Sequence, residues 1–243
     1  LRAVLNTAVD DELIRRNPCR IPGAGIERAA ERPTATVAQV FDLADTVPGR
    51  FRVLILLAAF TSLRYGELAA LRRNDFDPRC KTVTVRATLV ERSDGTLTFG
   101  PPKTDAGIRT ITVPAAIRRE VRAHLTSSVA DAPDALVFTG LTGAVLRRSN
   151  FQRASRWTES VSAVGLPGFH FHDLRHTGNN LAASTPGASL ADLMSRMGHA
   201  STRAALIYQH TNQERDERIA DNLSDQIKKS RDRARNGHGG KKK

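Results

Sequence analysis

The chain has 243 residues and a formal net charge of +12, with 37 Lys and Arg against 25 Asp and Glu; 40% of residues are hydrophobic and 5% aromatic. That is enough chain for a sizeable core in one domain with attachments, and it excludes a disordered or collagen-like polymer. Cys19 and Cys80 have no metal-ligand spacing and form no disulfide framework, and no signal peptide or membrane-length apolar run is visible, so the expectation is a cytoplasmic protein.

In chain order, Leu1, Val4, Leu5, Ala8 and Val9 mark an amphipathic helix predicted to end near Asn17-Pro18, followed by a Pro/Gly-containing linker to Pro33. Thr34 or Thr36 can cap a helix carrying Val37, Val40, Phe41 and Ala44. Residues 53–60, VLILLAAF, are almost wholly apolar and too short to span a membrane, so they are read as a buried helix. Arg64 emerges where that helix ends. Glu67 stands three residues on, within reach of its guanidinium if the turn is helical.

The hydrophobic period then changes to two. Val83, Val85, Ala87 and Leu89 alternate, as do Leu97 and Phe99, and Arg109, Ile111 and Val113, which predicts a small three-stranded antiparallel sheet. Between the last two segments lies Lys103. From residue 1 to 227 only Lys81 and Lys103 are lysines, although arginine is abundant. A lysine can hand a proton to a leaving oxygen and take it back, which arginine cannot, and a hairpin tip could carry Lys103 into a cleft.

Helices are predicted to resume at 114–126, 147–164, 171–183, 189–197, 202–209 and 213–230. The fold class is therefore mainly α with the small sheet (α+β). His172 and Arg175, at i and i+3 of the 171–183 helix, leave one face and could grip two oxygens of one phosphate. Gly198 is a helix end that sets His199 in a turn, and Tyr208 follows in an apolar-periodic run. A tyrosine, with a reference pKa of about 10, is a poor nucleophile near neutrality and becomes useful only where fixed cations stabilise the attacked phosphate. The constellation therefore points to phosphoryl transfer onto a phenol. Taken one at a time, each residue has a blander reading: Arg64 as a surface charge, His172 and His176 as structural histidines or an incomplete metal pair, Lys103 as a turn lysine, Tyr208 as a half-buried aromatic. Tyr65, the other tyrosine, is read as packing.

Together these residues resemble the catalytic domain of tyrosine recombinases, the phage-integrase family of site-specific DNA recombinases, over residues 34–215. Position by position, Arg64 resembles the first catalytic arginine, Glu67 its acidic support, Lys103 the hairpin lysine, His172 and Arg175 the His-x-x-Arg pair, His199 the late His or Trp, and Tyr208 the nucleophile. Gly178-Asn179-Asn180 and Met197 depart from the family's usual residues without touching the chemistry. The resemblance implies that the four residues Arg64, Arg175, His172 and His199 hold the scissile phosphate, that Tyr208 attacks it and that Lys103 protonates the departing 5′-oxygen. The product is a 3′-phosphotyrosyl link that a partner strand can reseal without ATP, metal or other cofactor. A type IB topoisomerase and a non-catalytic DNA-binding module of the same fold are the alternatives.

The same resemblance implies double-stranded DNA as partner, a homotetramer on DNA from a monomer in solution, and accessory DNA-bending or directionality factors. It also implies that residues 1–33 hold the last helix of a truncated core-binding domain plus linker and that 34–230 are the catalytic domain, since Leu1 stands inside a helical pattern with no initiator Met. Residues 231–243 are read as a basic, solvated tail; from 228 on there are eight Lys/Arg against one Asp, which leaves the preceding body at +5. Ile219, Leu223 and Ile227 form an apolar stripe on the 213–230 helix, read as packing either on its own domain or on a neighbouring protomer.

Overall fold

The computed structural model describes residues 1–20, 32–185 and 187–198; the elements expected at 202–209 and 213–230, and the tail, lie outside the described residues. The chain divides into two units, Leu1–Arg32 and Pro33–Lys243. In the first, helix α1 (Arg2–Asp10) is shorter than its periodicity predicts. Glu12 takes a left-handed conformation (φ 58°), and the N–H groups of Glu12 and Leu13 turn back onto the carbonyls of Val9 and Ala8, closing the helix.

The second unit is built around α3 (Arg52–Thr61), whose residues Val53 through Ala59 are all buried. A helix apolar on every side can only be central, and α3 is flanked by α2 (Val37–Thr46) and α8 (Phe171–Ala183). Helix α2 begins at a reciprocal cap: the Thr36 hydroxyl accepts the Gln39 N–H at 3.2 Å, and the Gln39 side chain accepts the Thr36 N–H at 3.0 Å. It buries Val40, Leu43 and Ala44, one face at i, i+3, i+4. Ser62 ends α3 in a left-handed conformation (φ 58°), and the short helix α4 (Tyr65–Ala70) starts three residues later with Arg64 as its N-cap.

The predicted three-stranded sheet is instead two two-stranded antiparallel sheets. Strand β1 (Thr82–Val85) pairs with β4 (Arg109–Thr112), with Val83 opposite Ile111 and Val85 opposite Arg109; β2 (Thr88–Glu91) pairs with β3 (Leu97–Gly100). The alternation that ran through Val83 to Leu89 is interrupted at Arg86 and Ala87. There Arg86 turns to an ion pair with Asp75, and β2 passes onto α4, where Gly66 admits the strand: a Cβ at Gly66 would lie 2.5 Å from the Leu89 carbonyl oxygen. Pattern alone cannot register such a step, because the period survives it.

Helix α5 (Ala115–Ser128) is close to its predicted span. The single helix predicted over 147–164 is two, α6 (Arg148–Ala154) and α7 (Trp157–Ala163), split where Arg156 adopts φ 46°. Their aromatic residues complete the core: Phe151 packs edge-on against Phe51 and Phe171, and the Trp157 indole donates to the Phe169 carbonyl at 2.8 Å. Helix α9 (Leu190–Met197) starts at a Ser189–Asp192 cap and ends at Gly198, left-handed at φ 63°. Among the described residues no helix is long and apolar enough to cross a membrane.

Candidate active site

Two helix starts are locked together by aromatic packing. Tyr65 opens α4 and Phe171 opens α8, and their rings meet edge to face with centroids 5.1 Å apart. Arg64 immediately precedes Tyr65 and His172 immediately follows Phe171, so this contact brings the two functional segments side by side. The Tyr65 hydroxyl donates to the Leu146 carbonyl at 3.2 Å, and burial pushes its phenol above the ordinary tyrosine range. Tyr65 is therefore a packing residue.

Arg64 is partly exposed, with its side chain at 40% of full accessibility. Its Nη1 donates to Glu67 Oε1 at 2.7 Å, its backbone N–H donates to Oε2 at 2.8 Å, and its Nη2 lies 3.4 Å from the Gly198 carbonyl. Glu67 is 2% exposed. Burial alone would raise its pKa, but hydrogen bonds and charge from Arg109 and Arg64 outweigh that and hold the carboxylate below its usual range, ionised. An ionised carboxylate gripping two guanidiniums fixes their planes as well as their positions.

Arg175 is buried on α8. Its Nη1 donates to the Ser62 carbonyl at the end of α3, and its Nη2 to the Met197 carbonyl at 2.6 Å. These contacts tie the His-x-x-Arg helix to the ends of α3 and α9. His172, one turn earlier, is exposed. Its ring meets that of His176 edge-on at 4.9 Å, and partial desolvation followed by the charges of His176, Arg175 and Arg148, against an opposing contribution from Asp173, lowers its pKa to about 4. The imidazole is neutral at physiological pH and able to accept a proton.

Lys103 is exposed, but it does not occupy a hairpin tip. The β2–β3 hairpin turns at residues 92–96, and Lys103 lies in the connection from β3 to β4, which crosses between the two sheets. That connection is clamped at its far end, where Gly107 packs against Pro102 closely enough that a Cβ would fall 2.2 Å from the proline Cβ. His199 and Tyr208 lie outside the described residues. Among the described residues there is no cluster of three or more His, Cys, Asp or Glu able to hold a metal, and Cys19 and Cys80 are free thiols.

Two residues not singled out from the sequence belong to this site. Arg109 donates to both Glu67 oxygens, at 3.1 and 3.0 Å, and to the Gly107 carbonyl at 3.0 Å, while its Nε donates to the Arg196 carbonyl at 3.0 Å. Arg196 in turn donates to the Phe60 carbonyl at 2.6 Å. The signal for Arg109 was present: it shares the inward face of its strand with Ile111, where an unpaired charge would be costly. Arginines 109, 175 and 64 thus reach three consecutive carbonyls, those of residues 196, 197 and 198, at the C-terminal end of α9. A helix C-terminus carries partial negative charge and favours cations. Arg64 and Arg109 share the buried Glu67 carboxylate, and Arg175 meets them at the end of α9; guanidiniums converging there suit an oxyanion.

The family described as Phage integrase family matches residues 34–215. A putative prophage phiRv2 integrase of Mycobacterium tuberculosis is 38% identical over 226 residues, covering 92% of this chain and 60% of that protein. The integrase of Mycobacterium phage L5 is 36% identical over 234 residues, 95% of this chain and 62% of its own length. The chain thus spans about three fifths of these curated relatives. Among solved structures, the Tn1549 transposon integrase in complex with transposon right end DNA superposes with a TM-score of 0.76 at 20% identity, over 92% of this chain and 76% of that one, and XerA recombinase with 0.59 at 19% identity, over 81% and 66%. At that identity the structural likeness speaks for the fold, which is that of tyrosine recombinase catalytic domains. With its family match covering the site-bearing residues and its mycobacterial relatives alike along nearly the whole chain, this protein belongs to the phage integrase family.

Proposed function

We propose that the chain is the catalytic part of a site-specific DNA recombinase that cuts and rejoins strands through a 3′-phosphotyrosyl intermediate on Tyr208. The observation that carries this reading is the convergence of Arg64 and Arg175 on adjacent carbonyls, Gly198 and Met197, directly ahead of His199 in the chain. Two guanidiniums fixed in this way present preorganised donors to the nonbridging oxygens of one phosphodiester, where charge grows as the phosphorus is attacked. Neutral His172 accepts the phenolic proton of Tyr208; the approaching phosphate, being negative, raises its basicity as the reaction begins. Lys103 lies on a solvent-facing connection from which its ammonium can deliver a proton to the departing 5′-oxygen. His199 completes the phosphate contacts. The ester formed conserves the energy of the broken bond, so the 5′-hydroxyl of a partner strand reseals it without ATP or metal.

In this reading residues 34–230 form the catalytic domain and 1–33 end a preceding DNA-binding domain. Double-stranded DNA is the partner, and strand exchange occurs in a DNA-bound homotetramer. The names of these relatives, integrases of phages and a prophage, favour exchange over simple relaxation. The test is a nicked suicide substrate drawn from DNA flanking the gene. A denaturation-resistant protein–DNA adduct is expected; tight binding with no adduct would leave a DNA-binding module and overturn the enzyme.

A further inference from the structure

Arg109 has no place in the proposed reaction, yet its side chain ties three segments of the site together. It is 8% exposed, and its four donated hydrogen bonds go to three different segments: the Glu67 carboxylate on α4, the Gly107 carbonyl at the end of the Lys103 connection, and the Arg196 carbonyl at the end of α9. Gly198 lies against the same guanidinium. A Cβ added there would come within 2.8 Å of Arg109 Nη1 and 3.1 Å of the Ala106 carbonyl oxygen. The glycine that ends α9 therefore also lets Arg109 and the Lys103 connection close onto it.

Glu67 divides its two oxygens between two arginines. Arg109 takes both, Arg64 Nη1 shares Oε1, and the Arg64 backbone N–H shares Oε2. With Arg109 removed, Glu67 would keep only the two Arg64 donors on its own helix start, and the Arg64–Glu67 pair would lose its brace to the end of α9 and to the Lys103 connection. Lysine cannot substitute, because an ammonium lacks the planar fork that spans two carboxylate oxygens while still reaching two carbonyls.

We propose that Arg109 is a positioning residue that sets Arg64, through Glu67, and the Lys103 connection, through Gly107, at a fixed relation to the end of α9. It touches none of the reacting atoms. The inference deepens the proposed recombinase reading and rests on it only for its kinetic consequence.

The first measurement needs no DNA. In the full chain, the 15N side-chain guanidinium signal of Arg64 is expected to be sharp and slowly exchanging in wild type, and broadened in Arg109→Lys and in Glu67→Gln. An Arg64 signal unchanged in a folded Arg109→Lys protein would overturn the proposal. The second measurement is single-turnover cleavage of the suicide substrate, with DNA affinity and folded fraction determined alongside. Displacing a reacting group by about 1 Å costs on the order of 10²-fold. Arg109→Lys is therefore expected to cut the rate per folded molecule by about 10–100-fold with DNA affinity held within a few-fold. In an Arg64→Ala background the same substitution should cost less, because only the Lys103 connection is then left to displace. A loss equally large in both backgrounds would show a general structural role and overturn positioning. If wild type forms no adduct, the recombinase reading fails, and the guanidinium signals still decide the role of Arg109.

Discussion

At the scale of single residues, the side chains proposed to meet the phosphate are distinct from those that hold them. Removing one preorganised donor to a developing oxyanion typically costs on the order of 10²–10³ in rate. Arg64→Ala and Arg175→Ala are expected to lose cleavage on that scale, and Arg119→Ala, an exposed residue of α5, to stay near wild type. Equal small losses at all three, with melting temperatures unchanged, would reduce the site to bulk charge. Arg175→Ala should also lower the melting temperature, because it frees the Ser62 and Met197 carbonyls that it satisfies.

His172 gives a pH prediction. Its pKa is about 4 when folded and near 6.5 unfolded, so below pH 6.5 the unfolded chain takes up a proton that the folded one does not. This contribution to stability is fully present above pH 6.5 and is lost as pH falls towards 4. The His172 ring-proton resonance should titrate near 4 in the free protein and move upward when DNA binds; a midpoint near 6.5 without DNA would contradict the partly desolvated, cation-flanked environment. Lys103→Ala should cleave ordinary DNA poorly and recover on a substrate whose bridging 5′-oxygen is replaced by sulfur, since a thiolate leaves without a proton. No recovery would take Lys103 out of the acid role.

At the scale of elements, the site depends on helices packed closely enough for side chains to reach neighbouring helix ends. Gly178 marks the closest approach of α8 to α3: a Cβ there would sit 2.0 Å from the Ala59 carbonyl oxygen. Gly178→Ala should therefore destabilise the protein by roughly 1–3 kcal/mol, as overpacking does, and slow cleavage by shifting Arg175 against Ser62. Gly49→Ala, with nothing within 4 Å, is the matched control; equal melting temperatures for the two would refute the close contact.

The same scale explains what the sequence made legible. Helix α3 could be read because eight apolar residues in a row leave no other fate, and α9 because a Ser/Asp cap and a glycine bracket it. The broken β1–β2 run and the α6–α7 split could not, since each depends on a tertiary contact or on one left-handed residue that periodicity does not record. Arg64, Glu67, His172 and Arg175 were singled out by family spacing, and local helix geometry accounts for where the structure sets them. Arg109 was passed over because, although its alternation with Ile111 marks an inward position, its importance lies in two long-range partners, Glu67 and the Arg196 carbonyl, that the pattern does not record.

At the scale of the whole molecule, Arg64, Arg109 and Arg175 converge on the C-terminal end of α9, which leads directly to the residues proposed to complete the chemistry. The preceding body carries a modest +5, so a specific site and not a broad basic surface has to account for any cleavage. In the proposed reaction Tyr208 becomes covalently joined to DNA. The most direct measurement is mass-spectrometric mapping of the DNA-linked peptide after trapping on the suicide substrate, alongside Tyr208→Phe. The expected result is a nucleotide adduct on Tyr208 in wild type, and in the Phe variant no adduct with DNA binding within a few-fold. An adduct on any other residue, or one that persists in Tyr208→Phe, would contradict it.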